Sequence, residues 1–237
     1  MKKLRHILYL SVMMIRYNLK IIFGNRFIYF MISALALFLF IIGVNLFNGE
    51  SLVEDSIYEI LLLTGTLLLF YPTTFGIQSD KDARTLEIIF GIPNYRYRVW
   101  LMRLILIYGI TFLILIILSL LLRYSLNAFD ILDMNVQVFF PLMFLGLSAF
   151  FLSTVMRSGN GTAAVVIILG VILMITSQNT DLGYWNIFFN PYDIPSSTSE
   201  IVWQSLTTKN RIFLGTGAVI FLLGGLMNLQ QREKFLR

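Results

Sequence analysis

The chain has 237 residues, of which 57% are hydrophobic and only 13% charged, and its mean hydropathy is +0.79. Soluble domains carry about 25% charged residues, so there is too little polar surface to cover such a core in water, and the composition places the chain in a membrane. One histidine and no cysteine exclude disulfides, thiolate metal sites, cysteine nucleophiles and paired-histidine centres, and the net charge of +5 has to be read by where the charges fall.

Residues 1–26 lack the compact apolar core and small residues of a cleavable signal peptide. At 100° per residue, Lys2, Arg5, His6, Arg16 and Lys20 gather on one side of a helix, and Leu4, Ile7, Leu8, Val12, Ile15 and Leu19 take much of the rest. This predicts an amphipathic helix along the inner leaflet, its bases toward water and anionic headgroups. It either sets topology alone or also meets a cytoplasmic partner. Gly24-Asn25 then turns the chain into the first of six stretches able to span a bilayer, which takes about 20 mostly apolar residues. These are 27–47, 57–75, 104–122, 136–156, 162–177 and 212–229, and Glu59 is the one acid or base among them. In the second, Pro72 predicts a kink near the inner end. Thr64-Gly65-Thr66 offers a small, polar stripe, for close helix contact or for a translocation surface.

The connections sort by charge. Segments 1–26, 77–103, 157–161 and 230–237 hold 15 of the 18 Lys and Arg but 4 of the 13 acids. Short cytoplasmic loops are the basic ones, so both termini are expected in the cytoplasm, and an even number of spans agrees in putting them on one side. The +5 is then an orientation signal rather than a sign of nucleic acid.

The spans lack the groups that membrane chemistry uses. There is no HExxH for a metalloprotease, His6 lies outside the spans, and no Asp lies within one. Ion-coupled carriers usually keep carboxylates or histidines inside the bundle, and no pattern of broken inverted repeats stands out. No Lys follows a Gly, so the phosphate-binding GxxxxGK[ST] loop is missing. The expectation is a chain with no catalytic residue, metal or cofactor of its own, whose energy arrives from another polypeptide.

The most informative connection is 78–103. Asp80, Asp82, Arg84 and Glu87 cluster at its start, beside the apolar Leu86, Ile88, Ile89 and Phe90, and Gly91 and Pro93 stop the run. These are the marks of a short helix over 78–93, charged on one side, which either covers the span ends or docks into a groove of a soluble partner.

Here the sequence resembles the permeases of type-2 ATP-binding-cassette (ABC) exporters. After their second span these carry acid-x-x-Gly-Thr-Leu-Glu, three aliphatics, a small residue, x-Pro-x-Ser-Arg, then a Lys entering the third span. Thr85-Leu86-Glu87-Ile88-Ile89-Phe90-Gly91-Ile92-Pro93 follows that pattern, Arg96 stands three after the proline and Arg103 ten after it. Arg84 stands in place of the Gly and Tyr95 in place of the Ser. Near the last span, Asn190-Pro191-Tyr192-Asp193 is similar to the family's Asn/Ser-Pro-aromatic-Asp turn, and the basic tail 231–237 is similar to the family's.

The resemblance implies an all-α membrane protein in which 1–237 is one permease domain. It would have six transmembrane helices, N- and C-termini cytoplasmic, an N-terminal amphipathic interfacial helix and a cytoplasmic coupling helix, in a bacterial plasma (inner) membrane. It implies two protein partners, an ABC ATPase subunit on the cytoplasmic face that holds ATP and Mg, and a second permease chain, identical or different. Coupling contacts would fall to Asp82, Arg84, Thr85, Leu86, Glu87, Ile89, Phe90, Pro93, Arg96 and Arg103, with Leu86 and Ile89 as an apolar plug. Residues 178–211, aromatic and broken by Pro191 and Pro195, would form two short helices dipping into the outer leaflet, with Asn190, Pro191 and Tyr192 at an outer gate. Cargo stays open among lipid, glycolipid, peptide and drug-like molecules. Two other functions fit the same composition: an ion-coupled carrier or channel, and a non-transporting scaffold driven by a partner ATPase.

Overall fold

The computed structural model describes residues 27–48, 52–91, 95–125, 128–180 and 182–230. The expected interfacial helix over 1–26, Pro93 and the tail 231–237 lie outside the described residues. Within them no strand occurs, and the elements in chain order are α1 (Phe27–Asn48), α2 (Glu54–Asp82), the short α3 (Leu86–Gly91), a π-helical turn (Arg96–Leu101), α4 (Met102–Ser125), α5 (Ile131–Met156), α6 (Gly159–Asn179), a single 3₁₀ turn (Gly183–Trp185) and α7 (Glu200–Asn228). All except α3 and the 3₁₀ turn contribute to six helices long and apolar enough to cross a membrane. The described residues therefore hold six candidate spans, the organisation of a multi-pass membrane protein.

Backbone groups at span ends need partners that lipid cannot supply, and the sequence provides them. The Asp130 carboxylate accepts from the Leu132 and Asp133 amides at the start of α5, and Ser158 caps α6 by accepting from the Gly161 amide. Between α5 and α6 the chain reverses within two residues, with Arg157 in the left-handed region at φ 56°.

Helices α2 and α5 form the centre. About 61% and 50% of their most apolar stretches are buried, against 17% for α1 and α6, which hold the rim. The most extensive contacts join α5 to α7 and to α2, and glycines make that approach possible. A Cβ on Gly217 would sit 2.5 Å from the Phe144 ring, one on Gly225 2.6 Å from Phe150, and one on Gly65 2.5 Å from Leu142. Without a hydrophobic drive between helices in lipid, such close backbone contact is a main source of association. The expected stripe at Thr64-Gly65-Thr66 is thus a packing surface: Thr64 is buried, and both hydroxyls donate back to their own helix, to the Ile60 and Leu62 carbonyls at 2.8 Å.

Helix α2 runs as one element through Pro72 to Asp82, past the kink expected from sequence. Thr73 and Thr74 donate their hydroxyls to the Leu69 and Phe70 carbonyls, at 2.7 and 2.5 Å. Both bonds go to the carbonyl four residues back, so these polar side chains are satisfied within their own helix.

One end of the bundle gathers the end of α2, α3, and the starts of α4 and α6; we call it the α3 end. Gln78 there accepts the backbone N–H of Gly159, and Tyr95 donates to the Leu229 carbonyl. The opposite, distal end gathers the starts of α2, α5 and α7 under residues 182–199. That connection differs from the two short helices expected. It holds one 3₁₀ turn and a series of turns, because Pro191 and Pro195 and the backbone-competing Asn186 and Asn190 break any helix. Residues 200–211 belong instead to the opening turns of α7.

Candidate functional site

Two clusters of polar groups stand out, one at each end. At the α3 end, α2 closes on Ala83, whose amide donates to the Ser79 carbonyl, while the Arg84 amide donates to that of Lys81. Arg84 follows in the left-handed region at φ 54°, a conformation that glycine adopts freely and other residues at a cost of about 1–2 kcal/mol. Thr85 then folds the chain back: its amide donates to the Asp80 carbonyl at 3.0 Å and its hydroxyl to the same oxygen at 3.1 Å. This turn aims α3 across the bundle end.

Below it, Asp80 of α2 and Arg103 of α4 form an ion pair at 2.5 Å with side chains only 4% and 6% exposed. The Arg103 guanidinium also lies 4.9 Å from the centre of the Trp100 ring, a favourable cation–π distance. A buried charge pair joining two helices ties their ends together, because separating it would leave both charges uncompensated.

The structure distributes the expected coupling residues over two layers. Asp82 and Arg84 are exposed and Thr85 is half-buried. Leu86 and Ile89 are 2% and 7% exposed and belong to the chain's own core. This differs from the plug expected from sequence. Spaced three apart they share one face of α3, and that face seats the helix on its own bundle. Arg103 is likewise internal. The side chains of Glu87, Phe90 and Arg96, and all of Pro93, lie outside the described residues.

At the distal end the expected gate residues meet in one network. Asn190 accepts the Tyr192 amide on its side-chain oxygen at 3.0 Å, closing a tight turn, and donates its amide to the Asp55 carbonyl at 3.1 Å. The Pro191 carbonyl accepts from the Trp203 indole at 2.8 Å, and the Tyr192 hydroxyl donates to Asp133 at 2.7 Å. Burial first, and then this bond and the charge of Asp133, raise the Tyr192 hydroxyl far above the ordinary tyrosine range. Since its folded pKa lies above the unfolded one, the link is fully present below about pH 10 and is lost only in stronger alkali.

Arg211 was not singled out by the sequence, and it organises the rest of this end. Though only 6% exposed, it donates to Gln137 at 2.8 Å, to the Asn210 oxygen at 2.8 Å and to the Tyr58 hydroxyl at 3.3 Å. Asn210 then donates to the Tyr184 and Asn186 carbonyls, and Tyr58 to that of Phe189. One buried cation therefore joins α2, α5 and α7 to the connection above them. The available signal was an Arg abutting a span, a place where charge is costly enough to need a reason.

Beside this network lies a cavity of about 490 Å³ between α2, the end of α6 and the connection. Among the described residues no group of three or more His, Cys, Asp or Glu is placed to hold a metal ion. Comparison with protein-family models, with curated proteins and with solved structures gives no match to this chain.

Proposed function

We propose that the chain is the permease subunit of an ABC exporter in a bacterial inner membrane, with both termini cytoplasmic. It would form the translocation path with a second permease chain and be driven by a separate ATPase subunit that holds ATP and Mg. The observation that carries this reading is the placement of α3. The segment resembling the coupling helix, Thr85 to Gly91, sits at the end of the central helix α2. It is held by a strained turn at Arg84 and seated by Leu86 and Ile89. Asp82 and Arg84 are left exposed for a partner.

The mechanism follows from how the parts are tied. ATP-driven closure of the partner pushes on α3, and Leu86 and Ile89 pass that push into the bundle. The Asp80–Arg103 pair makes α2 and α4 move together, so the displacement reaches the distal end as a tilt of whole helices. There the Arg211 network and the Asn190–Tyr192 turn hold the exit closed until the tops of α2, α5 and α7 separate. Each bond in that network is short-range, so a shift of an ångström or two releases several at once.

The test is assembly. Glu87→Arg reverses the charge at the motif's acid. We expect the tagged chain from native membranes to bring down a polypeptide with vanadate-sensitive ATP hydrolysis. Glu87→Arg is expected to lower that recovery at least ten-fold while its thermal unfolding stays unchanged. Equal recovery with the variant overturns the coupling assignment. Uphill transport driven by an ion gradient in liposomes holding this chain alone would favour a carrier.

A further inference from the structure

The cavity at the distal end has a chemistry that the transport reading does not use. Its walls are mainly apolar, from Leu62 and Leu63 on α2, Met174 on α6, and Phe188, Phe189 and Trp203. Phe189 and Trp203 face one another with ring centres 4.7 Å apart, which makes a continuous aromatic surface. The charges at the rim are of one sign: Glu59 and Asp193 line the cavity and are exposed, and among the described residues no Lys, Arg or His does so. Arg211 bonds the lining residue Tyr58, yet it is not in the lining, and its guanidinium donates to Gln137 and Asn210 as well as to Tyr58.

Glu59 is also the one carboxylate that the sequence sets within an apolar span, within a turn of its end. Leu63 and Met174 remain 45% and 53% exposed, so the cavity is open at its side, between α2 and α6, as well as at its rim. A volume of about 490 Å³ falls in the range of small-molecule sites, which pair apolar walls with a few placed polar groups. Aromatic faces and carboxylates favour the same ligand charge.

We propose that this cavity binds an amphipathic organic cation, its apolar body against Phe189, Trp203, Leu62 and Met174 and its positive group between Glu59 and Asp193. As a statement about cargo this rests on the transport reading, since the site lies beside the proposed exit and opens sideways toward lipid. As a statement about binding it stands alone.

Tetraphenylphosphonium and tetraphenylborate test it, being ions of nearly the same shape and opposite charge. With the purified full chain in phosphatidylcholine nanodiscs, and empty discs subtracted, we expect saturable retention of the cation and none of the anion. Glu59→Gln and Asp193→Asn are each expected to weaken retention about five-fold, the scale of one partly exposed charge contact. Glu59→Asp should largely keep it, Glu59→Lys should abolish it, and Glu200→Gln, a carboxylate outside the cavity, should leave it unchanged. Asp193 lies on a turn outside the helices, so its variant decides the matter even if a Glu59 variant unfolds. Equal retention of both ions, or cation retention indifferent to Glu59→Gln and Asp193→Asn, overturns the inference. No ATPase subunit is present in the assay, so that outcome leaves the transport reading standing, and loss of coupling in the Glu87→Arg test leaves this one standing.

Discussion

Asp80 and Arg103 lie 23 positions apart in sequence and 2.5 Å apart in the fold. Removing one partner of a buried pair strands the other charge, which costs about 3–5 kcal/mol, whereas replacing both by apolar residues of similar size is far cheaper. We therefore expect Asp80→Leu to lower the thermal unfolding temperature in detergent sharply, and Asp80→Leu with Arg103→Met to restore most of the loss. If the double variant is no better than the single one, the pair is not the tie between α2 and α4. The basic character of Arg103 is legible in the sequence, because its spacing from Pro93 follows the family pattern. Its partner is not, because local sequence carries no record of which carboxylate a fold brings to it. The same limit hid Arg211, whose ligands Tyr58, Gln137 and Asn210 come from three different helices. At Arg84, by contrast, the departure from the family's glycine marks a real feature, a left-handed residue at φ 54°.

The spans themselves are the most legible elements. Each of the six apolar stretches falls within an observed helix, apart from one residue at the end of the last. Their ends are less so, since hydropathy registers lipid rather than hydrogen bonding. Helix α2 reaches Asp82 and α7 begins at Glu200, well beyond the apolar core of either, because polar residues continue a helix as readily at an interface as in water. Asp130 and Ser158, which cap α5 and α6, are the local signals that fix two of those boundaries. How the elements meet is set by side-chain size. A leucine at Gly217 would place its Cβ against the Phe144 ring, where 2.5 Å is available, and forcing atoms into a packed contact costs about 1–3 kcal/mol. Gly217→Leu should accordingly destabilise the bundle, while Leu at Gly170, with nothing within 4 Å of its Cβ position, should not. Equal unfolding temperatures for both variants would show that α5 and α7 do not depend on that contact.

On the scale of the whole molecule, charge and packing divide the labour. Helix α2 takes part in both the Asp80–Arg103 pair at the α3 end and the Arg211 network at the distal end, so a movement imposed on one end has a stiff route to the other. The rim helices α1 and α6 leave most of their apolar stretches uncovered, as lipid-facing helices do. In the described part of the bundle the charged groups lie at or near the two ends, which suits a chain that supplies a path while another supplies the power. That division depends on α3 meeting an ATPase, and contact can be measured directly. The chain has no cysteine, so a single cysteine carries a benzophenone cross-linker to one defined place. Arg84→Cys places it on the exposed turn before α3, and Leu132→Cys on an exposed residue at the distal end. On irradiation of native membranes we expect Arg84→Cys to capture a polypeptide that also takes up an azido-ATP label, and Leu132→Cys to capture none. No ATP-binding polypeptide at Arg84, or equal capture at both positions, would contradict the proposed coupling.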